Sequence, residues 1–112
     1  MPIINLTATI PGGQSLSNGV DVSGGLFVRL YVPDQWMSSV LTFQVSSDGI
    51  VPYRNVFLHD GTELKMEVVS PGSAILIPEL MGKGLAFIKL RSGTYERPVI
   101  QPAARAFQLI LS

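Results

Sequence analysis

The stretch LTFQVSSDG, residues 41–49, alternates between apolar and polar side chains and then ends in a turn signal. The apolar positions 41, 43 and 45 fall on one side of an extended chain, whereas the polar positions 42, 44 and 46 fall on the other. A period of two is typical of a half-buried strand. Ser-Asp-Gly favours a tight turn. The stretch therefore predicts an antiparallel strand that runs directly into a turn.

The same pattern of short alternating segments recurs along most of the chain. Strands are predicted at residues 3–10, 16–22, 26–32, 40–46, 51–58, 63–69, 74–77, 86–91 and 106–111. Turn signals rich in Gly, Pro, Ser and Asp separate them. Strands of this length and spacing are typical of a sandwich or barrel. We therefore expect an all-β antiparallel sandwich of the jelly-roll type, with residues 1–112 as a single domain.

Three segments interrupt or qualify this pattern. Residues 33–37, with Pro33 at the start, resemble a single helical turn, and a second short helical turn is predicted at residues 78–81. Residues 1–12 are open to two interpretations. They form either an ordinary first strand, which we favour, or an extended arm that hinges at Pro11-Gly12-Gly13.

The apolar positions of the predicted strands define a candidate core. Its members are Phe27, Leu41, Phe43, Val45, Phe57, Phe87, Ile88, Leu90 and Leu109. Adjacent residues of a strand point to opposite faces of a sheet, so Phe87 and Ile88 cannot both face inward without a bulge. One of these two assignments must therefore be wrong.

The chain has an unusually low content of charged residues. Only 14% of the residues are charged, compared with about a quarter in typical soluble domains. One interpretation is that part of the surface is covered by another protein. The other is a β-rich domain whose turns use Gly and Ser rather than charged residues. Composition alone leaves both interpretations open.

The charge distribution and cysteine content argue against several functional classes. Eight acidic and eight basic residues balance, and no basic run is present, so no nucleic-acid partner is expected. Without cysteine, the chain can form neither disulfides nor thiolate metal sites. No signal peptide is recognisable, and the apolar runs are too short to cross a bilayer. We therefore expect synthesis in the cytoplasm and no membrane partner.

No group of residues in the sequence indicates catalysis. His59 is the only histidine, and a zinc site or a triad would need further partners, so an exposed turn residue is favoured. Asp48-Gly49 and Asp60-Gly61, with Glu63 nearby, could supply oxygen ligands to calcium, but their spacing fits hairpin turns better. The sequence predicts no catalytic residue, no cofactor and no metal site, and we expect a protein that is not an enzyme.

Aromatic residues raise the possibility of glycan binding. Trp36, Tyr31, Tyr53 and Tyr95 are the candidates, because sugar rings stack on exposed aromatic side chains. Trp36 could form such a platform at a sheet edge. Alternatively, Trp36 closes one open end of the sandwich, as a large amphipathic ring does well, and this second interpretation is favoured.

The segment from Arg91 to Pro98 is the other candidate for contact with a partner. Arg91-Ser92-Gly93-Thr94 is either an interaction loop or a turn that sets the register of the last two strands. The polar residues that follow extend it into a long loop, and loops commonly carry function. Combined with the tryptophan, the candidate interaction surface comprises Trp36, Arg91, Ser92, Thr94, Tyr95 and Arg97.

Two groups of residues carry a family resemblance. They are Trp36 with residues 41–44 (LTFQ) and 46–49 (SSDG), and residues 86–94 (AFIKLRSGT) with 98–101 (PVIQ), Ala104 and Arg105. In this order they resemble small β-sandwich proteins encoded beside the capsid and tail genes of tailed phages and prophages. The chain departs from that pattern at Leu85, where an aromatic residue is common.

The resemblance implies a non-enzymatic structural protein of the virion. The expected role is a capsid accessory or decoration subunit that binds the lattice of the major capsid protein or other virion proteins. A homo-oligomer is also expected, and a trimer would match the local three-fold positions of a capsid. The alternatives are a carbohydrate-binding module and a binding domain associated with the tail or fibres.

Overall fold

The computed structural model describes residues 3–112, which form two antiparallel sheets around a shared apolar core. The elements of this part of the chain are β1 (Ile4–Ile10), β2 (Val20–Asp21), β3 (Phe27–Tyr31), β4 (Leu41–Ser46), β5 (Arg54–Asn55), β6 (Lys65–Met66), β7 (Ala74–Leu76), α1 (Glu79–Gly84), β8 (Phe87–Ser92) and β9 (Arg105–Leu111). The all-β sandwich expected from the sequence is confirmed.

The two sheets differ in how their strands are ordered. One has the order β1-β9-β3-β7, and the other has the order β2-β8-β4, with β5 and β6 both paired to the remaining side of β4. Every pairing is antiparallel. The finer expectation of jelly-roll connectivity stays a prediction.

The centre of the second sheet follows the alternation seen in the sequence. β4 pairs with β8, which places Phe43 opposite Leu90 and Val45 opposite Ile88. Phe43, Leu90 and Ile88 are fully buried in the core, whereas Phe87 is only half-buried, with its ring against Gly49. The conflict between the two neighbouring residues is thereby resolved: Ile88 points inward, and the assignment of Phe87 to the core is wrong.

The strands predicted at residues 51–58 and 63–69 are much shorter than expected. Only Arg54–Asn55 and Lys65–Met66 pair with β4, because the two segments share a single edge of that strand. Between them the chain makes a turn in which the Leu58 amide donates to the Thr62 carbonyl at 2.7 Å. Phe57 is 45% exposed, so its assignment to the core is also wrong.

The two ends of the sequence meet in one sheet. β1 pairs with β9 along its whole length, from Ile4 opposite Leu111 to Ile10 opposite Arg105. Residues 4–10 are therefore a first strand, as favoured, and the extended-arm alternative is wrong for them. Residues 1 and 2 of the predicted segment lie outside the described part of the chain.

The two predicted helical turns have different outcomes. At residues 33–37 the chain makes a reverse turn, in which the Trp36 amide donates to the Pro33 carbonyl at 3.3 Å, and no helix forms. The second is confirmed as α1, which extends beyond the predicted residue 81 to Gly84. Within residues 3–112, no helix has the length and apolar character that a membrane crossing requires.

Candidate functional site

Arg91 lies in β8 but points to the outer face of the second sheet, opposite Thr42 of β4. Its Nε donates to Thr42 Oγ1 at 3.0 Å, and its two terminal nitrogens donate to Asn55 Oδ1 at 2.9 Å and to Glu63 Oε2 at 2.7 Å. The side chains of Arg91 and Glu63 are only 7% and 8% exposed. This buried ion pair therefore joins the middle of the sheet to the loop that covers it.

Glu63 links the ion pair to the loop that follows β8. Both of its carboxylate oxygens accept from the Tyr95 amide, at 3.2 and 3.3 Å. A carboxylate that accepts several charge-assisted and backbone hydrogen bonds is firmly oriented. Glu63 thus fixes the start of the loop at residues 94–97 relative to the sheet.

The loop itself is a tight turn closed by its own residues. The Thr94 amide donates to the Arg97 carbonyl at 3.2 Å, and the Arg97 amide donates to Thr94 Oγ1 at 3.0 Å. Gly93 precedes the turn with φ 88°, in a region that favours glycine, and lies against the backbone of Arg97 and Val99. The turn presents Tyr95 and Arg97 as exposed side chains.

A cleft of about 330 Å³ opens beside this turn; we call it the Tyr95 cleft. It is lined by Phe57, Gly61, Thr62, Glu63, Lys65, Thr94, Tyr95, Glu96 and Arg97. The rings of Tyr95 and Phe57 meet edge to face, with centroids 5.3 Å apart, and both are more than 40% exposed. The cleft therefore combines an exposed aromatic pair with several charged and hydroxyl groups.

The hydroxyl of Tyr95 is held by its neighbour in the sequence. It donates to Glu96 Oε1 at 2.8 Å. This hydrogen bond and the negative charge of Glu96 raise the pKa of Tyr95 above its usual value, because both oppose ionisation of the phenol. Tyr95 therefore acts in the cleft as a neutral, oriented aromatic group.

Ser92 belongs to a buried polar network on the other side of β8. Its Oγ accepts from Gln101 Nε2 at 2.9 Å and lies 3.0 Å from Ser39 Oγ. Gln101, itself fully buried, also exchanges hydrogen bonds with the backbone of Met37 and accepts from Arg105. Ser92 is fully buried, so its role is to hold neighbouring segments together rather than to contact a partner.

Trp36 belongs to the buried apolar core and is 3% exposed. Its ring packs edge to face on Phe107, with centroids 5.2 Å apart. This burial shows that the alternative of an exposed sugar platform is wrong, and it agrees with the favoured interpretation, in which Trp36 closes one end of the sandwich. The burial of Arg91 and Ser92 likewise contradicts their placement on an exposed surface. Of the six predicted surface residues, only Thr94, Tyr95 and Arg97 line the Tyr95 cleft.

The two remaining tyrosine candidates lie apart from this cleft. Tyr31 is 40% exposed on β3, and the Arg29 guanidinium lies 5.5 Å from its ring centroid. Tyr53 is half-buried beneath Lys89, whose Nζ is 4.6 Å from the ring centroid. Neither tyrosine lines the cleft, so the structure does not combine the four aromatic residues into one surface.

The Asp-Gly pairs form turns, as the sequence predicts. Asp48 Oδ1 accepts from the amides of Ile50 and Val51, both at 2.9 Å, and Gly49 has φ 79°. Asp60 Oδ1 accepts from the Thr62 amide, and Gly61 has φ 91°. Across residues 3–112, no three His, Cys, Asp or Glu side chains are grouped as metal ligands.

Three contributors to this site were not assigned to it from the sequence: Phe57, which was expected in the core, Glu63, which was considered only as a calcium ligand, and Asn55. One signal was available for Glu63. Arg91 and Thr42 fall on the same polar face of neighbouring strands, and an arginine within a sheet requires an acidic partner when a loop covers it. The sequence does not show which of the eight acidic residues is the partner of Arg91, because the loop that covers Arg91 has no regular pattern.

Comparisons with known protein families, with curated proteins and with solved structures found no match to this chain.

Proposed function

We propose that the protein is a non-enzymatic structural subunit of a tailed-phage virion, most specifically a capsid accessory or decoration protein that binds the lattice of the major capsid protein. It is made in the host cytoplasm and then incorporated into the particle. The observation that carries this proposal is the apolar character of the exposed surface, which suits a subunit that is covered by other proteins after assembly.

The surface carries many large apolar side chains. Thirteen of them are exposed among residues 3–112, while the whole chain has only sixteen charged residues. Ile50, Leu80 and Val68 are 89%, 85% and 80% exposed. Scattered apolar residues are normal on any surface, but the low content of charged residues favours a subunit covered by a partner, because charged residues are depleted from the cores of interfaces.

One groove on the surface is also almost entirely apolar. It has a volume of about 350 Å³ beside α1 and is lined by Val56, Leu58, Leu64, Pro78, Leu80, Met81, Gly84 and Leu85. The lining includes no charged side chain. A groove of this composition suits burial against another protein better than permanent exposure to water.

The arrangement of the ionisable groups also supports a structural role. The Arg91–Glu63 pair, which is the most buried ion pair of the described residues, is engaged in hydrogen bonds to the sheet and to a loop backbone. The turn aspartates are likewise engaged by the amides that follow them. These groups hold turns, a loop and the sheet in place, which suits a structural protein.

Binding to a repeating lattice does not require strong single contacts. Modest contacts become effective when several subunits are linked with the symmetry of the surface below them. The proposal therefore includes a homo-oligomer. The trimer that would match three-fold capsid positions stays a prediction.

The test is the copy number of this protein in purified virions, measured by quantitative mass spectrometry against the major capsid protein. A number of the same order as the capsid protein supports decoration of the lattice. A handful of copies would place the protein in the tail, the fibres or a vertex. Its complete absence from particles would overturn the proposal.

A second candidate function is carbohydrate binding, with the protein associated with a tail or fibre. The Tyr95 cleft favours it, because an exposed aromatic pair flanked by hydroxyl and charged groups is what sugar recognition uses. Glycan-array binding by the wild type that is lost in Tyr95→Ala would support this function. Tyr31→Ala, which alters an equally exposed tyrosine outside the cleft, is the matched control. Absence of glycan binding by the wild type would eliminate it.

A further inference from the structure

The first strand has an unpaired edge. β1 lies at the end of its sheet, and Ile4, Leu6, Ala8 and Ile10 are the residues whose backbone groups face β9. This parity follows from Thr9, whose amide and carbonyl both bond away from β9, to Asn18. The backbone groups of Ile3, Asn5 and Thr7 therefore also point away from the sheet, and within residues 3–112 no backbone partner covers those of Asn5 or Thr7.

Asn18 closes one end of this edge. The side-chain Oδ1 of Asn18 accepts from the backbone amide of Thr9 at 2.8 Å, and the backbone amide of Asn18 donates to the Thr9 carbonyl at 3.4 Å. An additional strand therefore cannot pair at Thr9. The accessible template is limited to residues 3–7, in which three residues present outward backbone groups at regular intervals.

The open edge of β1 lacks the features by which proteins protect exposed strands. Such strands are usually short, charged, bulged or interrupted by proline. Residues 3–10 carry no charge and no proline, and β1 pairs with β9 without a register shift. The strands at the edges of the other sheet are two residues long and each carries a charge: Asp21 in β2, Arg54 in β5 and Lys65 in β6.

The opposite edge of the same sheet is a weaker template. β7 spans only the three residues Ala74–Leu76, whereas β1 spans seven. A shorter edge strand offers a partner fewer backbone groups to pair with. β1 is therefore the edge most suited to strand addition.

We propose that β1 pairs antiparallel with β1 of a second copy of this chain, so that two four-stranded sheets join into one continuous sheet. The occupant is a second copy because an uncharged edge meets no like-charge repulsion when it pairs with itself, and self-pairing brings the exposed Ile4 against Leu6 of the other copy. With Asn5 opposite Asn5 of the second copy, Ile3 falls opposite Thr7, and every outward backbone group of residues 3–7 is paired. This register forms about six hydrogen bonds across the two-fold axis.

The side chains at this edge agree with the same register. Ile4 then faces Leu6 of the second copy at a position without hydrogen bonds, where side chains of antiparallel strands approach most closely. Ile4 is 37% exposed and Leu6 is only partly buried against the core in the single chain. The pairing would cover both apolar side chains twice, once on each side of the axis.

The test uses single cysteines, since the natural chain has none and every thiol is therefore an introduced probe. Asn5→Cys would place two Cα atoms about 5.5 Å apart, within the range that a disulfide spans. Mild oxidation should convert this variant to a covalent dimer, and analytical ultracentrifugation should show a dimer for the wild type.

Thr7→Cys is the matched control, because it lies on the same face and edge. In the proposed register its thiol is opposite Ile3, and the two copies of position 7 would have their Cα atoms about 14 Å apart along the strands. Thr7→Cys alone should therefore stay uncrosslinked, whereas a mixture of Thr7→Cys and Ile3→Cys should form a heterodimer. Circular dichroism checks that each variant is folded.

A further variant removes the pairing without a crosslink. Thr7→Pro deletes an outward amide that the single chain does not use, and edge strands tolerate proline at such positions. Folded Thr7→Pro that sediments as a monomer would support the proposal. A monomeric wild type, or Asn5→Cys that crosslinks no better than Thr7→Cys, would overturn it. Filaments would also overturn it, since they require pairing that does not close, such as β1 with β7.

This inference is independent of the proposed virion role. A two-fold contact by itself gives a dimer, and a trimer would require a second, different contact. The dimer can therefore be confirmed even if the protein is absent from virions, and the reverse also holds.

Discussion

At the scale of single residues, the Arg91–Glu63 pair connects the polar face of the second sheet with the loops that cover it. A buried ion pair contributes little to stability compared with an apolar replacement of both partners, but the removal of one partner leaves a buried charge. The pair therefore determines where the loops lie more than how stable the sheet is. The Tyr95 cleft depends on it, because Glu63 holds the backbone of Tyr95.

Arg91→Met tests this description. We expect a loss of about 3–5 kcal/mol in the free energy of unfolding, since Glu63 would remain buried without its partner. Urea denaturation gives the value. Lys83→Met, which removes an exposed ion pair with Glu79 within α1, is the control and should lose at most about 0.5 kcal/mol. Equal losses for the two variants would contradict the buried role of Arg91.

Trp36 offers a second test at this scale. Trp36→Ala should lower the free energy of unfolding by about 3–5 kcal/mol, because it empties a large buried site against Phe107. Trp36→Phe should lose at most about 1.5 kcal/mol, since the ring contact is retained. The indole nitrogen has no hydrogen-bond partner among the described residues, so Trp36→Phe breaks no bond of that kind. A small loss for Trp36→Ala would argue against closure of the sandwich by this residue.

At the scale of elements, the turns after strands are determined by individual glycines. Gly93 and Gly61 both have positive φ, at 88° and 91°, but their surroundings differ. A side chain at Gly93 would meet the backbone of Arg97 and Val99, whereas one at Gly61 would meet nothing within 4 Å. The cost of the left-handed backbone conformation and the cost of the lack of space can therefore be measured separately, as losses in the free energy of unfolding.

Substitution of the two glycines separates these contributions. Gly61→Ala should lose about 1–2 kcal/mol for the left-handed conformation alone. Gly93→Ala should lose about 1–3 kcal/mol more, because the added methyl group also forces the backbone of residues 97–99 to move. Thermal and urea denaturation measure both. If Gly93→Ala were as stable as Gly61→Ala, the description of a tightly packed turn after β8 would be wrong.

The aspartates in the turns make stability depend on acidity. Backbone hydrogen bonds from Val51 and Ile50 lower the pKa of Asp48, and a side-chain hydrogen bond from Thr62, followed by its backbone amide, lowers the pKa of Asp60. Because the folded-state pKa is below the unfolded value, the stabilisation is present above about pH 4 and is lost as the pH falls through the folded pKa.

We therefore expect the urea midpoint to be nearly constant between about pH 5 and pH 7 and to decrease below about pH 4. Asp48→Asn retains an oxygen acceptor for the turn but cannot ionise, so the decrease should be smaller in this variant. The difference between the two midpoint curves is the measurement. Parallel curves for the wild type and Asp48→Asn would show that Asp48 contributes nothing to acid sensitivity.

Strands with strong alternation were predictable from the sequence. The irregular segments that pack beside these strands were not. The predicted segments 40–46 and 106–111 each differ from β4 and β9 by one residue at the start, because alternation with a buried face specifies a strand by itself. Residues 51–58 failed because apolar content there does not indicate burial: Val51, Phe57 and Leu58 are all at least 45% exposed. Residues 51–58 and 63–69 compete for one edge of β4, and this competition limits how much of each segment forms a strand. It is a tertiary effect that the local sequence does not show.

The candidate site was predictable in part for the same reason. Tyr95 and Arg97 follow a strand and a glycine turn, so their exposure could be expected from local rules. Arg91 was misplaced because its partner Glu63 lies 28 residues earlier in the sequence. Ser92 was misplaced because its partners Ser39 and Gln101 lie in irregular segments, 53 residues before it and nine residues after it. Local patterns identify the position of a loop but do not show what packs on the strand beside it.

At the scale of the whole molecule, the surface combines few charges with many apolar side chains. Contacts made by such a surface depend on apolar burial more than on long-range attraction, because the net charge is zero. The proposed assembly with a capsid should therefore be governed by shape and apolar contact.

This leads to an expectation for the proposed capsid binding. Between about 0.1 M and 1 M salt the screening length decreases from about 10 Å to about 3 Å, yet binding of the protein to capsids should change little. Co-sedimentation of the protein with capsids that lack it measures the bound fraction. Release of the protein at high salt would show that charged contacts dominate the interface.

The pairing of β1 with β9 has a consequence for synthesis of the chain. Residues 4–10 leave the ribosome long before their partner strand, which spans residues 105–111. The first sheet therefore cannot be completed until residue 111 has emerged, and pairing over such a sequence separation is slow. An uncharged strand must remain unpaired during that interval, so the nascent chain is exposed to aggregation until its last strand has been synthesised.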